Sequence, residues 1–185
     1  MATLKVICKN SVDSHYTDKY KDDLAIETVV SYILNPDKTQ GCVGGWGVSV
    51  ANAVREMKLL QRLYHKDCGV RIRNWVIAFT PGEIEQAALY AGVAPAQVLW
   101  AMGALLSEYY KDRYQIVWGV HLDKPQEPHI HFAMSTVALT DGAKYSGKKS
   151  DYSEYIAYAK TVLRLYEINL WPVKDQAASK FIHTY

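Results

Sequence analysis

Along two neighbouring stretches of the chain, residues 115–121 and 129–135, every second residue is a bulky apolar one and most of the residues between are polar or small. This alternation places every second side chain on the same face of a β-strand, and the short proline-containing segment between the stretches predicts a hairpin. One predicted face carries bulky apolar side chains, namely Ile116, Trp118, Val120, Ile130, Phe132 and Met134. The other face carries histidines and mostly small side chains, namely Val117, Gly119, His121, His129, His131, Ala133 and Ser135. The small residues beside the histidines leave room for something to approach that face.

Apolar residues spaced three and four apart predict helices at about residues 22–34, 49–66, 82–90, 95–110 and 151–168. The first helix ends at Asn35, because the residue before a proline disfavours helical backbone angles. Ser49 is expected to cap the second helix, and residues 80–83 form a capping-box pattern for the third. The apolar stripe of the second helix is predicted to comprise Val54, Met57, Leu60 and Leu63.

Further strands are predicted at residues 4–8 and 74–79, and loops at residues 10–21 and 41–47. Strands and helices alternate irregularly, and two strands form a direct hairpin. This pattern favours an α+β fold in which helices cover one face of a central, largely antiparallel sheet. The length of 185 residues is typical of one domain, so residues 1–185 are expected to form a single domain.

The charge, hydropathy and cysteine content of the sequence limit the classes of protein to which the chain can belong. The formal net charge is only +2, so a nucleic-acid surface would have to come from local basic clusters. No apolar run is long enough to span a membrane, and the N-terminal residues lack the pattern of a signal peptide. Cys8, Cys42 and Cys68 are odd in number and widely spaced, which predicts reduced thiols and a cytoplasmic location.

The histidine face of the hairpin predicts a metal site. His129 and His131 are two residues apart on one strand and project to the same side, and the hairpin brings His121 beside them with Asp123 close by. Three neutral imidazoles with open positions left over can hold a catalytic divalent ion.

Three segments along the chain resemble the motifs of one family. The first segment, residues 26–39, has Tyr-Ile at positions 32–33 shortly before Lys-Thr at positions 38–39. The second segment is residues 76–83. The third segment, residues 121–131, contains the histidines together with Asp123 and Pro128. In this order they resemble the relaxase domains of plasmid mobilisation proteins, which belong to the HUH endonuclease superfamily. The middle segment carries Ala78 where these relaxases often have serine.

The resemblance implies a site- and strand-specific nickase that cleaves single-stranded DNA by metal-dependent transesterification, leaving a 5′-phosphotyrosine and a free 3′-hydroxyl. Tyr32 is the predicted nucleophile, because it also lies off the apolar stripe of the first helix when about 100° is counted per residue. Tyr16 and Tyr20 compete with it. Asp123 is expected to orient an imidazole or to accept the tyrosine proton. The metal would be Mg²⁺ or Mn²⁺ in function, although imidazoles also suit cobalt, nickel and zinc.

The resemblance also implies partners: an origin of transfer with an adjacent DNA hairpin, accessory relaxosome proteins and a type IV secretion coupling protein, with transfer to the recipient cell. Lys38, Lys144, Lys148 and Lys149 are predicted to contact phosphates, and Trp46 to stack on bases. The same sequence positions also fit a simpler interpretation, in which the lysines lie in solvated loops and the tryptophan belongs to the core.

Three other functions fit part of the pattern. A rolling-circle replication initiator would use the same histidines with a C-terminal tyrosine such as Tyr155. A binding module would keep the fold without nicking, and a metalloenzyme with three histidine ligands would act on a small molecule. The chain is expected to be either a compact relaxase or an excised relaxase domain.

Overall fold

A computed structural model describes residues 1–7 and 24–172. Along these residues the strands and helices follow in the order β1 (Ala2–Val6), α1 (Leu24–Ile33), α2 (Pro36–Thr39), β2 (Val43–Trp46), α3 (Ala53–Leu63), β3 (Ile72–Ala78), α4 (Pro81–Ala91), α5 (Pro95–Ser107), β4 (Tyr114–His121), β5 (His129–Ala138), α6 (Lys149–Arg164) and β6 (Leu170–Pro172). Among the residues named above, Cys8, Tyr16 and Tyr20 lie outside the described part of the chain.

The six strands form one sheet in the order β2-β4-β5-β3-β1-β6. All neighbours are antiparallel except β1 and β6, which confirms the predicted α+β fold with a largely antiparallel sheet. The central hairpin β4–β5 also forms as predicted, with His121 opposite His129 and Gly119 opposite His131.

Helices cover both faces of the sheet, so the expectation that they cover one face was wrong. The bulky face of the hairpin packs into a core formed with α4, α5 and α6, as predicted. The opposite face carries a second core, in which α1 and α3 bury Ile72, Val117 and Ala133. The physical reason is that α1 and α3 each carry an apolar side that needs a partner surface.

The predicted apolar stripe of α3 was partly wrong. Met57 is buried and Val54 packs against the second core, as predicted. Leu63, however, is 69% exposed, and the buried side also includes Ala53 and Gln61. Gln61 is buried because its side-chain amide donates hydrogen bonds to the Arg71 carbonyl at 2.7 Å and to Ser135 Oγ at 3.1 Å. A polar residue with partners in the sheet therefore fixes the rotation of this helix.

Two edge strands were missed. The glycine segment expected to be a loop forms β2, where the absence of a side chain at Gly44 leaves room for the indole of Trp118. The last helix ends at Arg164, earlier than expected, and a left-handed residue, Glu167, then turns the chain so that β6 pairs with β1. Both strands depend on pairing partners that are distant in sequence.

Within residues 1–7 and 24–172, no single helix is long and apolar enough to cross a membrane; the consecutive α4 and α5 reach that length and apolarity only together, across a 92° bend.

Candidate active site

Three histidines meet at one end of the central hairpin. His121 is the last residue of β4 and His129 the first of β5, and they face each other directly across the strand pair. The ring centroids of His121, His129 and His131 are 4.6 to 5.1 Å apart. One ring nitrogen from each residue lies within 4.8 Å of the other two. The structure therefore brings together the three residues predicted as metal ligands.

The hydrogen bonds of two imidazoles determine which ring nitrogen keeps a lone pair. His121 Nε2 lies 3.2 Å from the Ile33 carbonyl oxygen, and His129 Nδ1 lies 2.7 Å from the Glu127 carbonyl oxygen. A carbonyl oxygen only accepts, so these nitrogens carry the protons and the opposite nitrogens keep lone pairs. Nδ1 of His121 and Nδ1 of His131 are buried and have no hydrogen-bond partner among the described residues. Such orphaned acceptors fit a divalent cation.

The surroundings keep His121 and His131 neutral, as metal ligation requires. Burial, followed by the neighbouring His129, lowers the pKa of His121 to about 4. Burial, followed by the two other histidines, lowers the pKa of His131 to about 2. Both imidazoles are therefore uncharged near neutral pH, and their lone pairs are available to a cation.

Tyr32 stands beside this cluster from the last turn of α1. Its ring centroid is 5.2 Å from that of His121 and 5.3 Å from that of His131, both in edge-on arrangements. Tyr32 is 45% exposed, so part of this residue is open to solvent. A tyrosine, three imidazoles and an open side together form a site in which a phenol oxygen can attack a substrate group held by the histidines.

Gly119 determines how closely α1 approaches the hairpin. A Cβ atom at this position would collide with the Ile33 carbonyl oxygen at the end of α1, the same oxygen that accepts from His121. The small residue was expected to leave room for an incoming molecule, and this was wrong: the end of α1 fills the space. Because Gly119 has no side chain, the end of α1 can lie close to the hairpin, and this places Tyr32 in contact with the histidines.

Replacing Gly119 by alanine should therefore displace α1 and separate Tyr32 from the histidines. We expect Gly119→Ala to lower the free energy of unfolding by about 1–3 kcal/mol, as overpacking does, measured by urea denaturation. Gly82→Ala is the matched control, because a Cβ there meets open space and should be neutral or stabilising by about 0.4–1 kcal/mol. Equal stability of the two variants would contradict the role given to Gly119.

Lys38 and Asp123 complete the rim of the site. Lys38 Nζ lies 4.3 Å from the centroid of the Tyr32 ring and 3.7 Å from Asp123 Oδ2. The backbone N–H of Leu122 donates to the Lys38 carbonyl at 2.8 Å, which attaches α2 to the end of β4. The structure places Asp123 against this ammonium group, while the carbonyls of Ile33 and Glu127 hold two of the imidazoles.

The other predicted DNA contacts lie away from the histidines. Lys144 pairs with Val137 in an isolated antiparallel β-bridge. Val137 lies six residues beyond His131 on β5, which corresponds to about 20 Å along the strand. Trp46 pairs with Ile116 at the far end of β4, and its indole N–H donates to Ser107 Oγ at 3.0 Å. Lys148 and Lys149 begin α6, which packs on the opposite face of the sheet. Their contacts with DNA stay predictions.

Tyr155, the nucleophile of the replication-initiator alternative, belongs to the core on the opposite face. It is 3% exposed, and its hydroxyl accepts a hydrogen bond from the Trp75 indole N–H at 2.9 Å. Burial raises the pKa of Tyr155. In this fold its hydroxyl does not reach the histidines.

Two backbone groups of the site, the Ile33 and Glu127 carbonyl oxygens, were not predicted from the sequence. The signal for the first was Gly119, since a glycine inside a strand often marks the close approach of another segment. The second follows from the turn before β5 and has no side-chain signature.

Comparison with protein families gives one result. Residues 32–168 match the family model described as "Relaxase: MobA/VirD2-like, nuclease domain". The matched span begins at Tyr32 and includes the three histidines. A comparison with curated proteins and another with solved structures gave no match.

Proposed function

This chain belongs to the relaxase family of MobA/VirD2-like nuclease domains, and from that premise we propose that Tyr32 cleaves single-stranded DNA at an origin of transfer. Membership of the family makes the chain a DNA-nicking enzyme that binds single-stranded DNA. The observation that supports Tyr32 as the nucleophile is its position, 5.2 and 5.3 Å from two of the three clustered histidines.

In the proposed reaction the Tyr32 hydroxyl oxygen attacks the phosphorus of one phosphodiester. A bond forms between this oxygen and phosphorus, the bond between phosphorus and the 3′ oxygen breaks, and the phenolic proton is transferred so that a free 3′-hydroxyl results. The product is a 5′-phosphotyrosine. Because one phosphate ester replaces another, a 3′-hydroxyl can later reverse the step and reseal the strand.

His121, His129 and His131 are the residues that would hold a divalent ion, because one ring nitrogen of each lies within 4.8 Å of the other two and the buried Nδ1 atoms of His121 and His131 have no hydrogen-bond partner among the described residues. Such an ion would supply positive charge to the non-bridging phosphate oxygens and stabilise the negative charge that develops on them. We propose Mg²⁺ or Mn²⁺ as the functional metal. The Ile33 and Glu127 carbonyls orient two of the imidazoles by accepting their N–H groups.

Lys38 would supply a positive charge from the protein itself, in addition to that of the proposed metal ion. The ammonium group beside the Tyr32 ring can pair with the phosphate being attacked. Asp123 is proposed to hold Lys38 in this place through the 3.7 Å ion pair; the role expected from the sequence, orienting an imidazole or accepting the tyrosine proton, stays a prediction.

Removing the charge of Lys38 should weaken both binding and nicking. We expect Lys38→Ala to reduce the slope of log affinity against log salt by about 0.7, the value for one phosphate contact with single-stranded DNA, and Lys38→Arg to retain it. The measurement is a fluorescence anisotropy titration with a random single-stranded DNA pool at several salt concentrations. Lys160→Ala, on α6, is the control. A wild-type slope in Lys38→Ala would show that this lysine contacts no phosphate.

The finer biological role is also part of the proposal. We expect the protein to act in the bacterial cytoplasm on an origin of transfer flanked by a DNA hairpin, with accessory relaxosome proteins. The 5′-phosphotyrosine adduct would then pass to a type IV secretion coupling protein and travel with the DNA to the recipient cell.

A direct experiment tests the proposed function without knowledge of the DNA sequence. The protein is incubated with a random single-stranded DNA pool and Mn²⁺, the covalent adduct is isolated under denaturing conditions, and the adducted peptide is identified by mass spectrometry. We expect the peptide that contains Tyr32. An adduct on Tyr16 or Tyr20 would move the nucleophile within the relaxase family, and an adduct on Tyr155 would favour a replication initiator.

A further inference from the structure

A groove of about 780 Å³ lies between α1 and α3. Apolar side chains line it, among them Leu34 and the exposed Leu59. Three basic side chains, Arg55, Lys58 and Arg62, line it as well. These three positions are three and four residues apart, so their side chains share one side of α3.

The charge of the groove is strongly one-sided for a protein of formal net charge +2. The described residues that line it comprise three cationic side chains and no carboxylate. All three cationic side chains reach solvent: Arg55 and Arg62 are exposed, and Lys58 is half-buried and forms an ion pair of 3.2 Å with Glu27 on α1. A row of cations beside apolar side chains suits a single nucleic-acid strand, which presents phosphates along one side and apolar base faces along the other.

The groove lies next to the candidate active site. Ser31 and Pro36 line it, and Ser31 precedes Tyr32 directly in the chain while Pro36 begins the short helix that carries Lys38. The C-terminal end of α1 thus has the groove on one side and Tyr32 on the other. A strand that leaves the nucleophile across this end of α1 would enter the groove.

We propose that the α1–α3 groove binds the single-stranded DNA that flanks the cleaved phosphodiester, with Arg55, Lys58 and Arg62 on its phosphates. The inference rests on the proposed function, because it extends the same DNA strand beyond the nucleophile. The groove would be a second DNA-contacting surface. It contains none of the lysines that the sequence predicted to contact DNA.

The test uses the Tyr32→Phe protein, in which binding is measured without cleavage. Arg55→Gln and Arg62→Gln are combined in one variant, which keeps side chains that favour helices. We expect its slope of log affinity against log salt, for a random single-stranded DNA pool, to fall by about 1.4, the value for two phosphate contacts. Charge reversal to glutamate at both positions should weaken binding further.

The matched control is Lys160→Gln with Arg164→Gln, which removes two exposed charges from α6 on the other face of the sheet. Its salt slope should equal that of the Tyr32→Phe protein. Urea denaturation establishes that both double variants are folded. An unchanged salt slope in the Arg55 and Arg62 variant would overturn the proposal, as would a change in oligomeric state alone, which would assign the groove to a second copy of the chain.

The outcome is separable from that of the proposed function. Adduct formation by the wild-type protein tests the nucleophile and requires no groove. Loss of binding in the groove variant tests the second surface and requires no adduct. A wild-type protein that forms the Tyr32 adduct while the groove variant binds normally would retain the proposed function and reject the groove.

Discussion

Replacing Tyr32 by phenylalanine is expected to abolish the covalent protein–DNA adduct while single-stranded DNA still binds. The substitution removes one oxygen, the atom proposed to form the bond with phosphorus, and leaves the ring against His121 and His131. Loss of a nucleophile removes most of an enzyme's rate enhancement, so adduct yield should fall by more than about 1,000-fold. Gel analysis of labelled DNA after incubation with Mn²⁺ measures the yield.

The same variant should remain folded and retain affinity for DNA. Tyr32 is 45% exposed, and a change at such a site typically alters the free energy of unfolding by about 0.5 kcal/mol or less. Tyr90→Phe is the matched control, since this tyrosine is 83% exposed on α4 and should leave adduct yield unchanged. If Tyr32→Phe forms the adduct at the wild-type rate, the proposed nucleophile is wrong.

Replacing His129 by alanine is expected to remove both metal binding and nicking. His129 is the least buried of the three histidines, so its loss disturbs the core least while removing one of three ligands. Since loss of an outer partner of a ligand costs about 10–100-fold in metal affinity or activity, loss of a ligand itself should cost more than about 100-fold. Titration calorimetry with Mn²⁺ and the adduct assay measure the two effects.

Stability provides an independent readout of the same substitution. Mn²⁺ at 100 times its dissociation constant should stabilise the wild-type protein by about 2.7 kcal/mol, and His129→Ala should show no comparable gain. His65→Asn is the control, because His65 is exposed with a left-handed backbone, φ 52°, which asparagine tolerates. A variant at His129 that is still stabilised by Mn²⁺ and still nicks would show that the three histidines are not the metal site.

The sequence by itself determined the central part of this protein. The alternation of bulky apolar residues with mostly polar or small ones in β4 and β5 specified both faces of the hairpin, because side chains in a strand have a period of two. The register that follows places His121, His129 and His131 together. The capping pattern at Thr80 likewise specified the start of α4, where the Thr80 N–H donates to the Glu83 carboxylate at 2.9 Å. These features depend on residues close together in the chain.

Tertiary structure alone decided what covers the histidine face. The sequence shows that Gly119 is small, but the packing of α1 against it shows that the Ile33 carbonyl fills the space. The same contact places Tyr32 beside imidazoles about ninety residues away in sequence. The hydrogen bonds of Gln61 with the sheet decided that this polar residue, rather than Leu63, belongs to the buried side of α3.

Long-range pairing decided the remaining differences. β2 and β6 are short strands at the two edges of the sheet, and each forms because a partner strand supplies its hydrogen bonds. The positions of Lys144 and Trp46, far along the strands from the histidines, follow from the same register. Local periodicity reports which face a side chain occupies, whereas the distance between two loops depends on how whole elements pack, which no short stretch of sequence contains.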